Sequence, residues 1–162
     1  MQIQIDSREH KSELARIQSQ FDDLNVKYYV SKLFVGDYMN LDNPRLIVDR
    51  KKDLWEICSN VTQQHERFRN ELIRAEEQGI KVIILCEHGN GIKTLNDVFF
   101  WENIVWRMVD GRRKRVRRGV PGDVLYKTLN TIQDRYGVRF EFCDKSETGK
   151  RIVELLGGDA GG

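Results

Sequence analysis

The sequence predicts one α/β domain in which helices cover both faces of a mixed central sheet. Segments with strand and helix periodicity alternate along the 162 residues, without internal repeats or an obvious linker. Residues 81–86 form an almost continuous apolar run, which is typical of a strand buried on both faces in the middle of a sheet. Gly79 and Gly137 each stop a helical pattern. We therefore expect a single domain at residues 1–157 and a disordered, glycine-rich tail at residues 158–162.

The first predicted elements are two strands joined by a helix. Residues 2–6 alternate polar and apolar side chains, as a strand with one exposed face does. Ser7 can cap the following helix, to which Leu14 and Ile17 give an apolar stripe. Residues 26–30 then predict the second strand of the sheet.

An antiparallel pair of strands is predicted next. Residues 35–41 and 46–49 are separated by a turn-rich insert that contains Pro44, and the second segment is rich in β-branched side chains. Helices at residues 52–60 and 63–78 follow this pair and lead to the buried strand described above.

The second half of the chain predicts a helix at residues 94–108, a helix at 123–136, a strand at 138–142 and a last helix at 146–156. The first of these helices carries four large aromatic side chains. We interpret them as packing groups of the core and of a lid, rather than as platforms on which bases stack. They are Phe99, Phe100, Trp101 and Trp106.

The composition argues against several classes of protein. With 40% hydrophobic and 32% charged residues, the chain is typical of a globular domain. Cys58, Cys86 and Cys143 lack CxxC spacing, which indicates free thiols in a reducing compartment and argues against a zinc site. No apolar run approaches the roughly 20 residues of a membrane span, and the N-terminus lacks a signal-peptide pattern. We therefore expect a cytoplasmic protein without a membrane partner.

Positive charge is concentrated in one stretch, although the net charge is only +2. Six of the nine residues at positions 111–119 are basic, and glycines bound the stretch. A phosphate backbone is the partner that we expect for such a patch. The alternatives are a mobile solvated loop or a contact for an acidic protein. The basic residues are Arg112, Arg113, Lys114, Arg115, Arg117 and Arg118.

Two carboxylates and a lysine are predicted to meet at the antiparallel pair. Side chains at positions i and i+2 of a strand share a face, so Asp49 and Lys51 should point one way and Arg50 the other. If the two strands pair, Asp37 comes beside them. Carboxylate oxygens bind hard divalent cations, and a lysine can orient a water or offset developing charge. The group suits phosphodiester hydrolysis with Mg²⁺ or Mn²⁺.

Asp6 and Arg8 follow the first predicted strand, at the carboxyl end where open α/β sheets usually place their sites. Either they belong to the site, or Asp6 only caps the helix and Arg8 only pairs with a nearby acid. The residues themselves leave both alternatives open.

Three segments in order resemble the nuclease domain of the XPF-type structure-specific endonucleases, which have a restriction-endonuclease-like fold. They are Ile5-Asp6-Ser7-Arg8-Glu9, Gly36-Asp37-Tyr38 and Val48-Asp49-Arg50-Lys51. The resemblance continues through residues 67–69 and 82–86. Trp101 and residues 125–127 look most like the compact versions of this domain in bacteriophages and prophages.

This resemblance implies roles for the residues that carry it. Asp37 and Asp49 would ligate Mg²⁺ or Mn²⁺ and Lys51 would assist the water. Arg50 would have a structural or phosphate-facing role, and Asp6 and Arg8 would flank the site.

The chain departs from the pattern of the family at two positions. Asp49 stands where the family usually has Glu, which moves a bound metal by about one methylene. Trp55 occupies the place of a later acidic residue, with Asp53 and Glu56 on either side. We therefore treat Asp53, Glu56 and Arg69 as candidate neighbours of the site.

We expect from the resemblance a metal-dependent DNA endonuclease that cuts branched, flapped or junction DNA in phage or prophage DNA processing, repair or recombination. Its location would be the cytoplasm of a bacterial or phage-infected cell. XPF-type domains commonly pair, so a homodimer or a partner protein that adds DNA contacts is also expected. The alternative is a nuclease-like module that binds DNA or a protein without cutting.

Overall fold

A six-stranded mixed sheet forms the centre of the computed structural model, which describes residues 1–157. The tail predicted at residues 158–162 lies outside the described residues. The strands are β1 (Gln2–Ile5), β2 (Lys27–Val30), β3 (Tyr38–Asn40), β4 (Asn43–Lys51), β5 (Lys81–Cys86), β6 (Ile104–Val109), β7 (Arg112–Arg117) and β8 (Arg139–Phe142). The helices are α1 (Lys11–Asp23), α2 (Leu54–Val61), α3 (His65–Glu77), α4 (Leu95–Val98), α5 (Gly122–Tyr136) and α6 (Thr148–Leu155), with a 3₁₀ turn at Lys145–Glu147.

The strand order in the sheet is β2-β1-β3-β4-β5-β8. The pairs β1–β3 and β3–β4 are antiparallel, whereas β1–β2, β4–β5 and β5–β8 are parallel. Five of the six residues of β5 are buried, as the apolar run predicted. The carboxyl ends of β1 and β4 lie at the same edge of the sheet, and this edge carries the candidate site.

Helices cover both faces of the sheet and enclose two apolar clusters. On one face, α2, α3 and α5 contribute Leu54, Phe68 and Leu125 to the larger cluster. On the other face, α1 and α6 contribute Phe21 and Ile152 to the second cluster. The predicted fold class, a restriction-endonuclease-like core with helices on both faces, is therefore confirmed. In the described part of the chain, no helix is long and apolar enough to cross a membrane.

The prediction of one helix at residues 94–108 is wrong. Helix α4 covers only Leu95–Val98, and Ile104–Val109 pairs with Arg112–Arg117 as a two-stranded antiparallel hairpin. Asn103, directly before β6, adopts a positive φ of 58°, which is incompatible with a helix that continues through this position. The basic stretch is consequently a strand rather than a loop.

The interpretation of the aromatic residues as packing groups holds only in part. Trp101 packs against the larger apolar cluster. Phe100 is 79% exposed and Trp106 is 58% exposed, so neither is a core residue. On β6 the apolar side chains of Ile104, Trp106 and Met108 are exposed, so burial does not explain their presence there.

Candidate active site

Asp37 is positioned by three backbone hydrogen bonds at the centre of the sheet edge. Its N–H donates to Val48 O (3.0 Å), its carbonyl accepts from Asp6 N–H (2.7 Å), and its Oδ2 accepts from the N–H of Arg50 (2.7 Å). The preceding residue must be glycine. Gly36 has a φ of 71°, and a Cβ there would collide with the side chain of Ile47.

The carboxyl groups of Asp37 and Asp49 both line the same cleft and lie close enough to influence each other's ionisation. Burial of Asp37, together with the negative charge of Asp49 and then of Glu9, raises the pKa of Asp37 well above its usual value. The two carboxyl groups therefore oppose each other's ionisation, and a divalent cation between them would offset that repulsion.

Lys51 lies on the same face of β4 as Asp49, as the spacing predicted. Its Nζ is 3.1 Å from Oδ2 of Asp49, and the residue is only 9% exposed. Burial is the largest single influence on the pKa of Lys51 and would lower it, but the charges of Asp49, Glu56 and Asp37, together with the hydrogen bond to Asp49, outweigh burial and raise that pKa. The amine is therefore held as an ammonium next to both carboxylates.

Arg50 points to the opposite face of the sheet, where it joins a buried ionic network. Its guanidinium contacts Glu9 Oε1 (2.8 Å) and Glu87 Oε1 (3.2 Å), and its side chain is 7% exposed. Arg16 pairs with both Glu87 (2.7 Å) and Glu13 (2.6 Å). Of the two roles that the resemblance implied for Arg50, this geometry favours the structural one.

Glu87 is the member of this network that sequence reasoning missed. Its side chain is fully buried, and its N–H donates to the carbonyl of Lys51 (2.8 Å). The available signal was an acidic residue directly after the buried strand β5, whose last residue pairs in register with Lys51. Glu9 belongs to the same network. Burial is the largest influence on its pKa and would raise it, but the hydrogen bond and charge of Arg50 and the hydrogen bonds from Tyr38 and the N–H of His10 together lower it.

Asp6 and Arg8 pair with each other at the border of the site. Arg8 Nε lies 2.8 Å from Asp6 Oδ2, and Asp6 also accepts from the N–H of Leu33 (2.8 Å). Asp6 is 2% exposed and does not line the cleft, whereas the exposed guanidinium of Arg8 does. Asp6 thus orients Arg8, and Arg8 alone faces the space in front of the carboxylates.

The three candidate neighbours lie in different surroundings. Asp53 caps α2 by accepting a hydrogen bond from the N–H of Glu56 (2.8 Å). Glu56 lines the cleft and accepts from the N–H of Lys52 (2.9 Å). Arg69 is exposed on α3 and does not line the cleft. Glu56 is therefore the acidic residue that the fold places beside Asp49 and Lys51.

The cleft itself is an open cavity of about 450 Å³ that contains Asp37, Asp49 and Lys51 among its lining residues. Within residues 1–157, no three side chains of His, Cys, Asp or Glu converge as a complete metal cage. That is compatible with Mg²⁺ or Mn²⁺, since Mg²⁺ commonly uses one or two carboxylates, waters and substrate phosphate oxygens. The fit rests on the donor set, in which Asp37 and Asp49 would hold the cation.

None of the six basic residues singled out in the sequence lines this cleft, although Arg118 lines the neighbouring cavity that shares Lys52 and Glu56 with it. Five of them form β7, and Arg118 follows it. Most of the hairpin is exposed, and Arg115 approaches Glu102 at 3.5 Å. The structure does not bring the basic residues and the carboxylates into contact, so any DNA that touches both must span the surface between them.

The family model described as the ERCC4 domain matches residues 5–155. Among solved structures, XPF from Aeropyrum pernix aligns with a TM-score of 0.63 and 23% sequence identity, over 96% of this chain and 60% of that chain. XPF from Aeropyrum pernix in complex with DNA aligns with a TM-score of 0.63 and 22% identity, over 96% of this chain and 62% of that chain. This chain spans about three fifths of the length of those structures. No curated protein matches it.

Proposed function

The chain belongs to the ERCC4 domain family, and from this premise we propose that it is a metal-dependent endonuclease that hydrolyses phosphodiester bonds in DNA. The observation that carries the proposal is the meeting of Asp37 and Asp49 beside the ammonium of Lys51 in an open cleft. Antiparallel pairing of β3 with β4 brings the two carboxylates together, and the burial of Lys51 and Asp37 distinguishes the group from an ion pair on a solvated hairpin. The raised pKa of Asp37 supports a site designed to receive positive charge.

Each residue has a defined task in this proposal. Asp37 and Asp49 bind Mg²⁺ or Mn²⁺ through their oxygens. When bound, the cation polarises a phosphoryl oxygen and lowers the pKa of a water. Lys51 Nζ donates a hydrogen bond to the attacking water or to the phosphate, where negative charge develops. Arg8 lies at the border of the cleft, where its guanidinium can pair with a neighbouring phosphate.

The proposed substrates are branched, flapped or junction DNA, processed in phage or prophage repair or recombination. The DNA complex of the Aeropyrum pernix protein supports DNA as the partner, and the segments around Trp101 and residues 125–127 support the phage-type assignment. The basic hairpin supports contacts with the phosphate backbone. Self-association is part of the same proposal, and light scattering at several protein concentrations checks it.

The test is cleavage of end-labelled flap, fork, four-way-junction, duplex and single-stranded DNA in Mg²⁺, Mn²⁺ or Ca²⁺. We expect the wild type to cut at least one branched DNA substrate in Mg²⁺ or Mn²⁺. An RNA of the same sequence is tested alongside for comparison. Asp49→Asn should lose at least 100-fold in rate because it removes a metal ligand. Asp42→Asn is the matched control, since this exposed residue lies in the turn at the opposite end of β4.

Two outcomes would refute the proposal in different ways. Equal rates of cleavage by the wild type and by Asp49→Asn would show that Asp49 is not part of an active site and would point to a contaminating nuclease. If the wild type binds branched DNA but cuts none in any of these metals, the chain is a binding module with a nuclease-like fold. Cleavage of RNA alone would keep the chemistry but change the substrate class.

A further inference from the structure

The hairpin of β6 and β7 has one face on which exposed apolar residues alternate with arginines across the strands. Directly opposite residues share a face, so Ile104, Trp106 and Met108 lie beside their partners Arg117, Arg115 and Arg113. Trp106 is 58% exposed and Met108 is 65% exposed. Exposed residues of this size grouped on one surface mark an interaction site rather than a packing defect.

The charge of the hairpin determines the kind of partner that suits this face. Six of the twelve strand residues are basic and none is acidic. A second copy of the same face would bring like charges together, which disfavours self-association here. A polyanion with flat apolar groups satisfies both the arginines and the tryptophan, and a nucleic acid strand has this composition.

Geometry within the face favours stacking. The guanidinium of Arg113 lies 4.9 Å from the ring centroid of Trp106, a cation–π contact that holds the ring against the strand while leaving it largely exposed. Bases in a duplex are covered by their neighbours and present only their edges. Unpaired bases offer the flat faces that an indole ring can stack upon.

A lined path connects this hairpin with the carboxylates. A cavity of about 500 Å³ lies between the hairpin and the body, and Trp55, Trp101 and Arg115 are among its walls. Trp55 also lines the neighbouring cavity, which in turn shares Lys52 and Glu56 with the cleft of Asp49. The path carries aromatic rings at the hairpin end: the centroids of Trp55 and Trp101 lie 5.4 Å apart.

We propose that the Trp106–Met108 face of the hairpin binds unpaired nucleotides by stacking, next to a strand that continues along this path to the cleft. The inference rests on the proposed function for its DNA substrate. It adds a site that distinguishes single-stranded from duplex DNA, whereas contacts of the basic residues with phosphates bind both. The interpretation of Trp106 as a packing residue is replaced by this role.

The test measures binding without cleavage, in Ca²⁺ or EDTA, by fluorescence anisotropy of a labelled oligothymidylate and of a duplex of equal length. We expect Trp106→Ala to weaken single-strand binding about tenfold, because it removes the ring on which a base stacks, and to leave duplex binding within about twofold. Trp106→Phe should retain most of the affinity. The fluorescence of a single strand that contains 2-aminopurine should be quenched when the wild type binds it, and quenched less when Trp106→Ala binds it.

The controls separate stacking from charge and from folding. Arg112 lies on the opposite face of β7. Arg112→Gln should weaken the binding of both single-stranded and duplex DNA and reduce the salt dependence of the binding constant, whereas Trp106→Ala should leave that salt dependence unchanged. Circular dichroism checks that each variant is folded, and Met108→Ala serves as a second variant of the same face. Equal weakening of single-stranded and duplex DNA by Trp106→Ala would overturn the proposal.

Other results would also overturn it. Unchanged single-strand affinity in both Trp106→Ala and Met108→Ala would exclude the face. Loss of a dimer, or of binding to anionic lipid vesicles, without any change in DNA binding would assign it to another occupant. This test is independent of the proposed nuclease activity. If the wild type cleaves DNA but Trp106→Ala binds single strands unchanged, only the stacking site is refuted. If the wild type binds single strands by stacking but cleaves no DNA, only the nuclease activity is refuted.

Discussion

Nζ of Lys51 lies 3.1 Å from Oδ2 of Asp49, two residues earlier on the same strand. Alternate residues of a strand share a face, so the sequence Asp-Arg-Lys alone produces this pair once β4 forms. The ammonium group of Lys51 thus forms its ion pair with Asp49. Asp37 instead receives a backbone hydrogen bond from Arg50, and burial together with the charge of Asp49 opposes its ionisation. We therefore expect the stability of the folded protein to depend on pH and on divalent cations mainly through the ionisation of Asp37.

Asp37→Asn should stabilise the metal-free protein at neutral and alkaline pH. The pKa of Asp37 is raised in the folded state, so folding binds a proton that the unfolded chain releases above about pH 3.9. Stability contributed by this group is consequently lost as the pH rises through that window up to the folded pKa. The amide removes the buried charge and keeps an oxygen for the Arg50 N–H. We expect a gain in melting temperature that is larger at pH 8 than at pH 5.

The same melting curves with Asp42→Asn provide the control, because that exposed carboxylate lies outside the site. It should change the melting temperature by less than about 1 °C at either pH. A gain in Asp37→Asn that does not depend on pH would contradict the role assigned to its ionisation.

Mn²⁺ or Mg²⁺ should raise the melting temperature of the wild type. A ligand that binds only the folded state at about 100 times its dissociation constant stabilises it by about 2.7 kcal/mol. For a domain of this size that corresponds to roughly 5–10 °C. The increase should vanish in Asp37→Asn and in Asp49→Asn but persist in Asp42→Asn. An equal shift in all four proteins would place the cation elsewhere.

Arg50→Met should be among the most destabilising substitutions in the chain. It leaves the buried carboxylates of Glu9 and Glu87 without their shared partner, and breaking a buried pair in this way costs about 3–5 kcal/mol. Arg115→Met is the matched control, because its contact with Glu102 is exposed and such pairs contribute about 0–1 kcal/mol. Urea unfolding measures both. Comparable losses in the two variants would contradict the structural role of Arg50.

Asn103 should anchor the base of the hairpin. Its Oδ1 accepts from Trp55 Nε1 (2.7 Å), its Nδ2 donates to Val120 O (2.6 Å), and its carbonyl accepts from the N–H of Arg118 (3.0 Å). Asn103→Ala removes both side-chain bonds at a buried position and places Ala at positive φ, at a cost of about 2–4 kcal/mol in unfolding free energy.

Two comparisons divide that cost. Asn103→Gly keeps the backbone conformation and should recover up to about 1 kcal/mol. Asn25→Ala, at an exposed residue with a φ of 55°, tests the backbone effect alone and should cost about 1 kcal/mol. If Asn103→Ala costs no more than Asn25→Ala, the side-chain bonds do not hold the hairpin.

Local periodicity was enough to predict the central sheet and the i,i+2 relationship of Asp49 and Lys51. It could not predict that Asp37 meets them, because that depends on the pairing of β3 with β4 and on the close passage of Gly36 over Ile47. The expectation came from the assumed pairing of the two segments, and the order of motifs along the chain strengthened it. The ionic network around Arg50 depends on α1 packing across the sheet, and no local pattern encodes it.

The hairpin was missed for a different physical reason. Residues 94–98 do begin a helix, with a capping box formed by Thr94 and Asp97, and the exposed apolar side chains of β6 extend the apolar pattern beyond its end. The helix ends at Val98, and at Asn103, whose positive φ is held by the buried bond to Trp55, the chain turns into β6. Tertiary contacts therefore override the local preference at this position.

The double substitution Arg113→Gln and Arg115→Gln should weaken DNA binding and reduce its salt dependence. Each arginine that contacts a phosphate releases about one counterion, so the slope of log K against log salt should fall by about two. Both residues lie on exposed positions of β7, which limits the effect on folding. Binding to branched DNA in Ca²⁺, measured between 50 and 200 mM salt, gives the slope. The control is the double substitution Arg135→Gln and Lys150→Gln, on α5 and α6. It changes the net charge by the same amount as the hairpin pair and should leave the slope unchanged. A reduction in the control pair alone would place the DNA path across those helices, and equal reductions in both pairs would indicate a diffuse field instead of a binding surface on the hairpin.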